Sequence, residues 1–295
     1  MPAPLLIADV PWLLYRAFFS LPKSIVNADG QPVNALLGTV NALLAVLEAR
    51  PARAVAACMG AEEAIYRVKL YPGYHAQREQ MPAELSVQWA KAPALLASLG
   101  WTVTTDAELE ADDVMFSYAL AETAGGRDGD GRALLLTGDR DLFQAVTDQV
   151  AVITPGKGGE PPNEIGPEQV HERYGIDPAL VTDFIALRGD PSDGLPGAPG
   201  IGAKTAADLL NRYGSLEDML KIAGADDSDM RLRTAITLGE NEELLHTFKR
   251  IATLVPIDGI ARPPDRPTDF ASGARMAREL GMRQLATRLE KLATA

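Results

Sequence analysis

The chain reads as an α/β protein with a mostly parallel sheet in its first part and a helical region after it. Three observations predict this. Short apolar runs alternate with helix-periodic segments up to about residue 165, the pattern of a sheet covered by helices on both faces. Past that point strand-like runs become scarce, and helical periodicity with Gly and Pro breaks continues to Ala295. Acids recur just after the strand-like runs, at the carboxyl edge where parallel sheets bind ligands.

In chain order, Leu5 to Asp9 is an apolar run closed by an acid, a buried strand with Asp9 at its C-terminal end. Ala35 to Ala49 is an apolar-periodic helix with Pro51 beyond it, and Ala52 to Met59 is a second strand. Glu84 to Leu99 reads as a helix that Pro93 kinks or breaks and Gly100 ends. Trp101 to Thr104 is a strand, and Leu109 to Glu122 a helix with acids at its start. Arg132 to Thr137 and Val150 to Thr154 complete the strands, with Gly138-Asp139-Arg140-Asp141-Leu142 directly after the first of them. No internal repeat or long low-complexity tract interrupts the pattern.

Composition narrows the function classes. The 295 residues are 46% hydrophobic and 23% charged, ordinary for a water-soluble globular protein. A single cysteine, Cys58, excludes an intrachain disulfide framework, and three scattered histidines argue against a His/Cys metal centre. Asp9 interrupts the apolar N-terminus, no basic segment precedes it, and no apolar run is long enough to span a bilayer. A cytoplasmic location is expected. The formal net charge of −12 weakens any case for broad electrostatic binding of nucleic acid. It favours instead a site where oxygen ligands gather around divalent cations.

The segment from Gly189 to Thr205 supports such a site. It offers Asp190 and Asp193 first, then a Pro/Gly-rich turn that opens into a helix from Ala206 to Tyr213. Amide groups at a helix N-terminus can cradle a phosphate, with Lys204 adding positive charge. Asp9, Glu110, Asp112, Asp113, Asp139, Asp141, Asp190 and Asp193 all fall at strand ends, helix starts or turns. Singly, each is an ordinary cap or surface acid. Gathered on one edge they would raise each other's pKa and require a cation. Mg²⁺ or Mn²⁺ suits such ligands, and two such ions about 3.5–4 Å apart can promote phosphodiester hydrolysis.

In their order, Leu109-Glu110-Ala111-Asp112-Asp113-Val114, Thr137-Gly138-Asp139-Arg140-Asp141-Leu142, Gly189-Asp190-Pro191-Ser192-Asp193-Gly194-Leu195-Pro196-Gly197 and Gly200-Ile201-Gly202-Ala203-Lys204-Thr205-Ala206 resemble the 5′–3′ exonuclease/flap endonuclease family. Its members include the N-terminal nuclease domain of DNA polymerase I and stand-alone relatives. The resemblance runs from about Leu5 to at least Phe270. It implies a PIN-like 5′ nuclease core over residues 1–170, with an arch or gateway segment at about 62–90. A helical region over 171–295 would carry a helix–three-turn–helix module at about 183–215.

The resemblance further implies that Asp9, Glu110 and Asp112 hold a first metal with Asp113 beside them, and that Asp139, Asp141, Asp190 and Asp193 hold a second. The turn containing Gly197, Gly200, Gly202, Lys204 and Thr205 would bind the duplex backbone and a K⁺ ion. Tyr74 would stack on a terminal base, Arg78 and His75 would serve catalysis at the scissile phosphate, and Arg16 would contact the displaced strand. Flapped or nicked DNA is the implied partner, and a monomer the expected form.

Two departures from the family pattern matter, and a third is milder. Gly60 stands where an Asp ligand is expected at the end of the second strand, and His75 replaces the arch lysine. Gly194 also replaces a usual Asn. The expected function is a divalent-metal-dependent, structure-specific 5′ nuclease. The alternatives are a DNA-structure-binding protein with weakened chemistry and, behind it, a PIN-type ribonuclease.

Overall fold

The computed structural model of the protein describes residues 3–125, 131–156, 160–225 and 229–294. Among these residues a six-stranded sheet runs β3-β2-β1-β4-β5-β6. The strands are β1 (Leu5–Asp9), β2 (Ala54–Met59), β3 (Thr102–Thr105), β4 (Ala133–Leu136), β5 (Val150–Thr154) and β6 (Asn163–Ile165). All neighbours pair in parallel except β5 and β6, which are antiparallel. The short β6 has no apolar run of its own, which is why periodicity alone does not reveal it.

Both faces of the sheet are buried, as expected when crossover helices cover a parallel sheet. Leu5 and Ile7 point to one core and Leu6 and Ala8 to the other. On one face lie α1 (Val10–Ser20), α2 (Asn34–Ala49), α4 (Ala83–Ser98), α12 (Phe270–Glu279) and α13 (Arg283–Ala293). On the other lie α5 (Ala111–Gly125), α7 (Val181–Arg188), α8 (Ala203–Tyr213) and α11 (Glu242–Ala252). The short α3 (Ile65–Leu70) and α6 (Pro167–Tyr174), with α9 (Leu216–Ala223) and α10 (Leu232–Glu240), complete the helices described.

Local chemistry explains where the elements differ from the sequence expectation. Helix α1 follows β1 without a loop, because Asp9 caps it by accepting a hydrogen bond from the Trp12 amide and Pro11 fits the first turn. Helix α4 runs through Pro93 without a break. Helix α5 starts at Ala111 rather than Leu109, since the Asp106 carboxylate accepts from the Glu108 and Leu109 amides and holds that stretch as a turn. Helix α8 starts three residues before the expected Ala206, at Ala203, which places Lys204 and Thr205 in its first turn.

The segment from Ile251 to Ile257 is strapped to the sheet side. Arg67 Nε donates to the Ile251 carbonyl, and Gln144 bonds both the Ala252 carbonyl and the Leu254 amide. The Val255 amide donates to Asp113 and the Ile257 amide to the Ser117 hydroxyl. No described helix is long and apolar enough to cross a membrane.

Candidate metal centre and nuclease site

The parallel register brings the acids to one edge. Asp9 pairs with Cys58 across β1 and β2, and Ala8 pairs with Leu136 across β1 and β4, so Asp9, Gly60 and Thr137 emerge together. Thr137 ties two of the acidic stretches. Its hydroxyl donates to Asp9 Oδ2 at 2.7 Å and accepts from the Asp139 amide at 3.0 Å. Above this edge opens a cavity of about 760 Å³ lined by Asp9, Glu110, Asp112, Asp139, Asp141 and Asp193. Arg78, His75, Tyr74 and the aromatic rings of Trp12, Tyr15 and Trp89 also line it.

The carboxylates fall into two kinds. Glu110 and Asp113 share the Arg67 guanidinium, Asp190 is held by Arg188 at 2.9 Å, and Asp193 faces the His75 ring at 3.2 Å. Among the described residues Asp9, Asp112, Asp139 and Asp141 have no such partner, and all four are pushed above the usual carboxylate range. Burial is the main cause for each, and repulsion from neighbouring acids adds to it. Asp9 is raised to about 6, while Asp112 and Asp141 stand well above their ordinary value.

Four crowded, desolvated acids fit a divalent cation, which would replace their mutual repulsion with attraction. Among the described residues no three His, Cys, Asp or Glu side chains form a ready-made cage. An open arrangement still suits Mg²⁺, which keeps several waters and binds through one or two carboxylates.

Several expected residues stand elsewhere. Asp113, expected beside the first metal, is fully buried and makes a two-pronged pair with Arg67 at 2.8 Å on each prong. It also takes the Val255 amide, so it serves packing rather than the cavity. Asp190 lies behind the cavity lining, where its carboxylate accepts from the Ser192 amide and hydroxyl as well as Arg188. Tyr74, expected as a stacking platform, is only 4% exposed. Its ring lies against His75 with centroids 4.0 Å apart, and its hydroxyl donates to Glu110. Neither face is open to a base in this form.

The glycines of the turn also divide. Gly197 is buried, and a side chain there would collide with the backbone of Arg188 and Gly189, so it serves a close chain crossing. Gly200, Gly202, Lys204 and Thr205 are exposed, and nothing lies within 4 Å of where a Cβ would stand at either glycine. They surround the free amide end of α8.

Arg78 lies on the cavity wall, where it donates to the Glu62 carbonyl at 2.7 Å and sits 3.4 Å from the second ring nitrogen of His75. Arg16 is exposed, its guanidinium 5.7 Å from the Trp12 ring centre. Among the described residues His75 is the one non-glycine residue with positive φ, at 52°. Its amide donates to the Asp193 carbonyl at 3.0 Å, and a Cβ at Gly194 would collide with the Gly73 carbonyl, so the stretch around His75 is docked on the second acidic loop.

Gly60 is not a simple vacancy. A Cβ there would lie 2.5 Å from backbone atoms of Leu109, Glu110 and Ala111, and the Ala61 amide donates to the Leu109 carbonyl. The acidic stretch has closed over the position.

Arg67 and Arg188 were not identified as site residues from the sequence. An arginine inside the otherwise apolar Ile65-Tyr66-Arg67-Val68 is the signal for the first. Arg67 is 2% exposed, and although burial opposes its charge, the paired carboxylates outweigh this and hold its pKa up.

The 5′-3′ exonuclease N-terminal resolvase-like domain matches residues 4–175, and the C-terminal SAM fold of the same enzymes matches residues 176–259. The chain belongs to the 5′-3′ exonuclease family. It is 34% identical to a 5′-3′ exonuclease of Mycobacterium tuberculosis, an alignment covering 99% of this chain and 98% of the relative. It is 36% identical to a 5′-3′ exonuclease of Streptomyces coelicolor, over 94% of this chain and 96% of the other. In fold it resembles the bacteriophage T5 D15 flap endonuclease solved with DNA and metal ions. The TM-score is 0.68 at 18% identity, covering 99% of this chain and 100% of the phage chain. The PIN-like, mostly parallel core with a helical C-terminal part is therefore the fold of this family member.

Proposed function

We propose that the protein is a divalent-metal-dependent, structure-specific 5′ nuclease that hydrolyses DNA phosphodiesters at flaps, nicks and free 5′ ends. One observation carries this reading: carboxylates from separate stretches of chain meet in one cavity, beside Arg78. Asp9, Asp112, Asp139 and Asp141 would hold Mg²⁺ or Mn²⁺, with Glu110, Asp190 and Asp193 close by. A bound ion of this class supplies Lewis acidity toward water and offsets charge on the phosphodiester.

The remaining roles fall to the chain itself. Arg78 offers fixed positive charge to the scissile phosphate, and His75 sits between it and Asp193. Gly200, Gly202, Lys204 and Thr205 meet the duplex backbone, contacts that position DNA without reading its sequence. A K⁺ ion is expected at the same turn, and Arg16 is placed to meet the displaced strand. In this reading residues 1–170 form the nuclease core, with the gateway within 62–90, and residues 171–295 the helical part, with the helix–three-turn–helix module at 183–215. The protein acts as a monomer in the cytoplasm, in replication and repair.

A 5′-labelled flap, made as DNA and as RNA, tests the proposal. The DNA flap is cut only when Mn²⁺ or Mg²⁺ is present, and Asp139→Asn abolishes cutting while flap binding in Ca²⁺ persists. Gly60 and His75 favour a second reading, a DNA-structure-binding protein with weakened chemistry. Binding with no metal-dependent cleavage by the unaltered protein would establish that reading instead, and preferential cutting of RNA would point to a ribonuclease.

A further inference from the structure

Glu110 and Tyr74 each differ from the role their sequence position suggests, and one bond connects the two differences. The Glu110 carboxylate accepts from the Ala64 amide at 2.8 Å, from the Tyr74 hydroxyl at 3.0 and 3.1 Å to its two oxygens, and from Arg67. All three donors belong to the stretch leading into the gateway. A carboxylate has about four acceptor positions, so the protein itself nearly fills this one. The Tyr74 ring is buried as part of the hydrophobic core, and the same hydrogen bond that occupies Glu110 ties its tip.

We propose that Tyr74 is a positioning residue for divalent-cation binding, acting through Glu110: its hydroxyl holds the carboxylate in the cation-free protein, and Glu110 turns to a cation only by giving up that bond, which releases the ring toward the cavity. The proposal takes from the nuclease reading only the class of ligand, a divalent cation.

Of the three donors, Tyr74 is the one held neither by a second ion pair nor by backbone at a helix start. Arg67 is fixed by Asp113 and by the Ile251 carbonyl, and the Ala64 amide belongs to the cap residue just before α3. The Tyr74 hydroxyl sits at the tip of a side chain in a run of turns over residues 72–77. Its neighbour His75 holds a left-handed backbone that costs a non-glycine residue energy, so the stretch is already strained. Release would expose a ring on the cavity wall, where an aromatic face can stack on an unpaired base. The burial of Tyr74 and the saturation of Glu110 then describe one state of a two-state element.

Tyr74→Phe is the test, because it keeps the ring and its packing and removes only the hydroxyl. Calorimetric titration of the DNA-free, full-length protein with Mn²⁺ should show binding about tenfold tighter in Tyr74→Phe, the scale set by a lost hydrogen bond to a charged acceptor. In the otherwise unaltered protein labelled with 3-fluorotyrosine, the ¹⁹F signal missing from Tyr74→Phe should move toward the solvent-exposed position as Mg²⁺ is added. Equal or weaker Mn²⁺ binding by Tyr74→Phe, or an unmoved signal at saturating Mg²⁺, overturns the proposal. If both responses appear but flap DNA is not cut, the positioning role stands and the nuclease reading fails. If the unaltered protein binds no Mn²⁺ at all, both fall.

Discussion

The two walls of the cavity are built differently. On the Glu110 side the compensating cation is Arg67, buried, fixed by Asp113 and by a backbone carbonyl, and tied to the strap at Ile251–Ile257. On the Asp190 side the cation is Arg188, part-exposed, and its carboxylate partner belongs to a surface loop. The same pair of groups therefore does different physical work on each wall. Where water is excluded, removing one partner strands a buried charge; where water reaches, solvent screens most of the loss.

The sharpest way to break this contrast is Arg67→Met. It leaves Asp113 buried without its cation and should cost about 3–5 kcal/mol, read as a large fall in thermal midpoint. Arg67→Lys should rescue little, since an ammonium cannot make the two-pronged contact. Next in size is Gly60→Ala. Its methyl meets backbone rather than a flexible side chain, and crowding of this kind costs about 1–3 kcal/mol. Gly60→Asp should lose at least as much stability and gain no Mn²⁺ affinity by calorimetry. A tighter-binding, equally stable Gly60→Asp would mean the position had stayed open. At the small end, Arg188→Met should cost clearly less than Arg67→Met, because Arg188 itself is partly solvated. An Arg188 effect as large as that of Arg67 would erase the distinction between the walls.

A pH experiment sharpens the same comparison from the centre of the cavity. Asp112 is raised by burial and by its neighbours, so the folded protein takes up its proton more readily than the unfolded chain does. The charged carboxylate therefore destabilises the cation-free fold at high pH, and this penalty is relieved as pH falls. Asp112→Asn should melt higher than the unaltered protein near neutrality without metal, with the gap closing as pH is lowered. For Asp9, raised from 3.8 to about 6, the corresponding penalty is relieved as pH falls from about 6 to 3.8. Adding Mg²⁺ near neutrality should also close the gap, because the cation offsets the charge that the substitution removes.

Much of this was legible in the sequence because the relevant signals are local. Apolar runs ending in acids mark both the strand and the edge its carboxylate occupies, as at Asp9, and acids at a helix start or just after a strand fall on the same edge, so that Asp9, Asp112, Asp139 and Asp141 line one cavity. What could not be read is how the carboxylates are shared out. Asp112 and Asp113 are adjacent and chemically alike, yet one step along a helix turns the first to the cavity and the second to Arg67 and Val255. That outcome depends on partners far away in the chain. Tyr74 is hidden for the same reason, its hydroxyl being held by Glu110, which is distant in the chain. The edge strand β6 escaped because three residues carry too little pattern to register.

The strap at Ile251–Ile257 has a consequence for how this protein can be divided. Strands end at Ile165, and a cut soon after Tyr174 looks convenient, yet it would take away the carbonyl that Arg67 grips and the amide that Asp113 accepts. The fragment would inherit a frustrated centre with donors and acceptors left dangling. Swapping either half for that of a distant cousin meets the same obstacle. The two parts are thus expected to travel through evolution, and through the protein engineer's hands, as a single heritable piece.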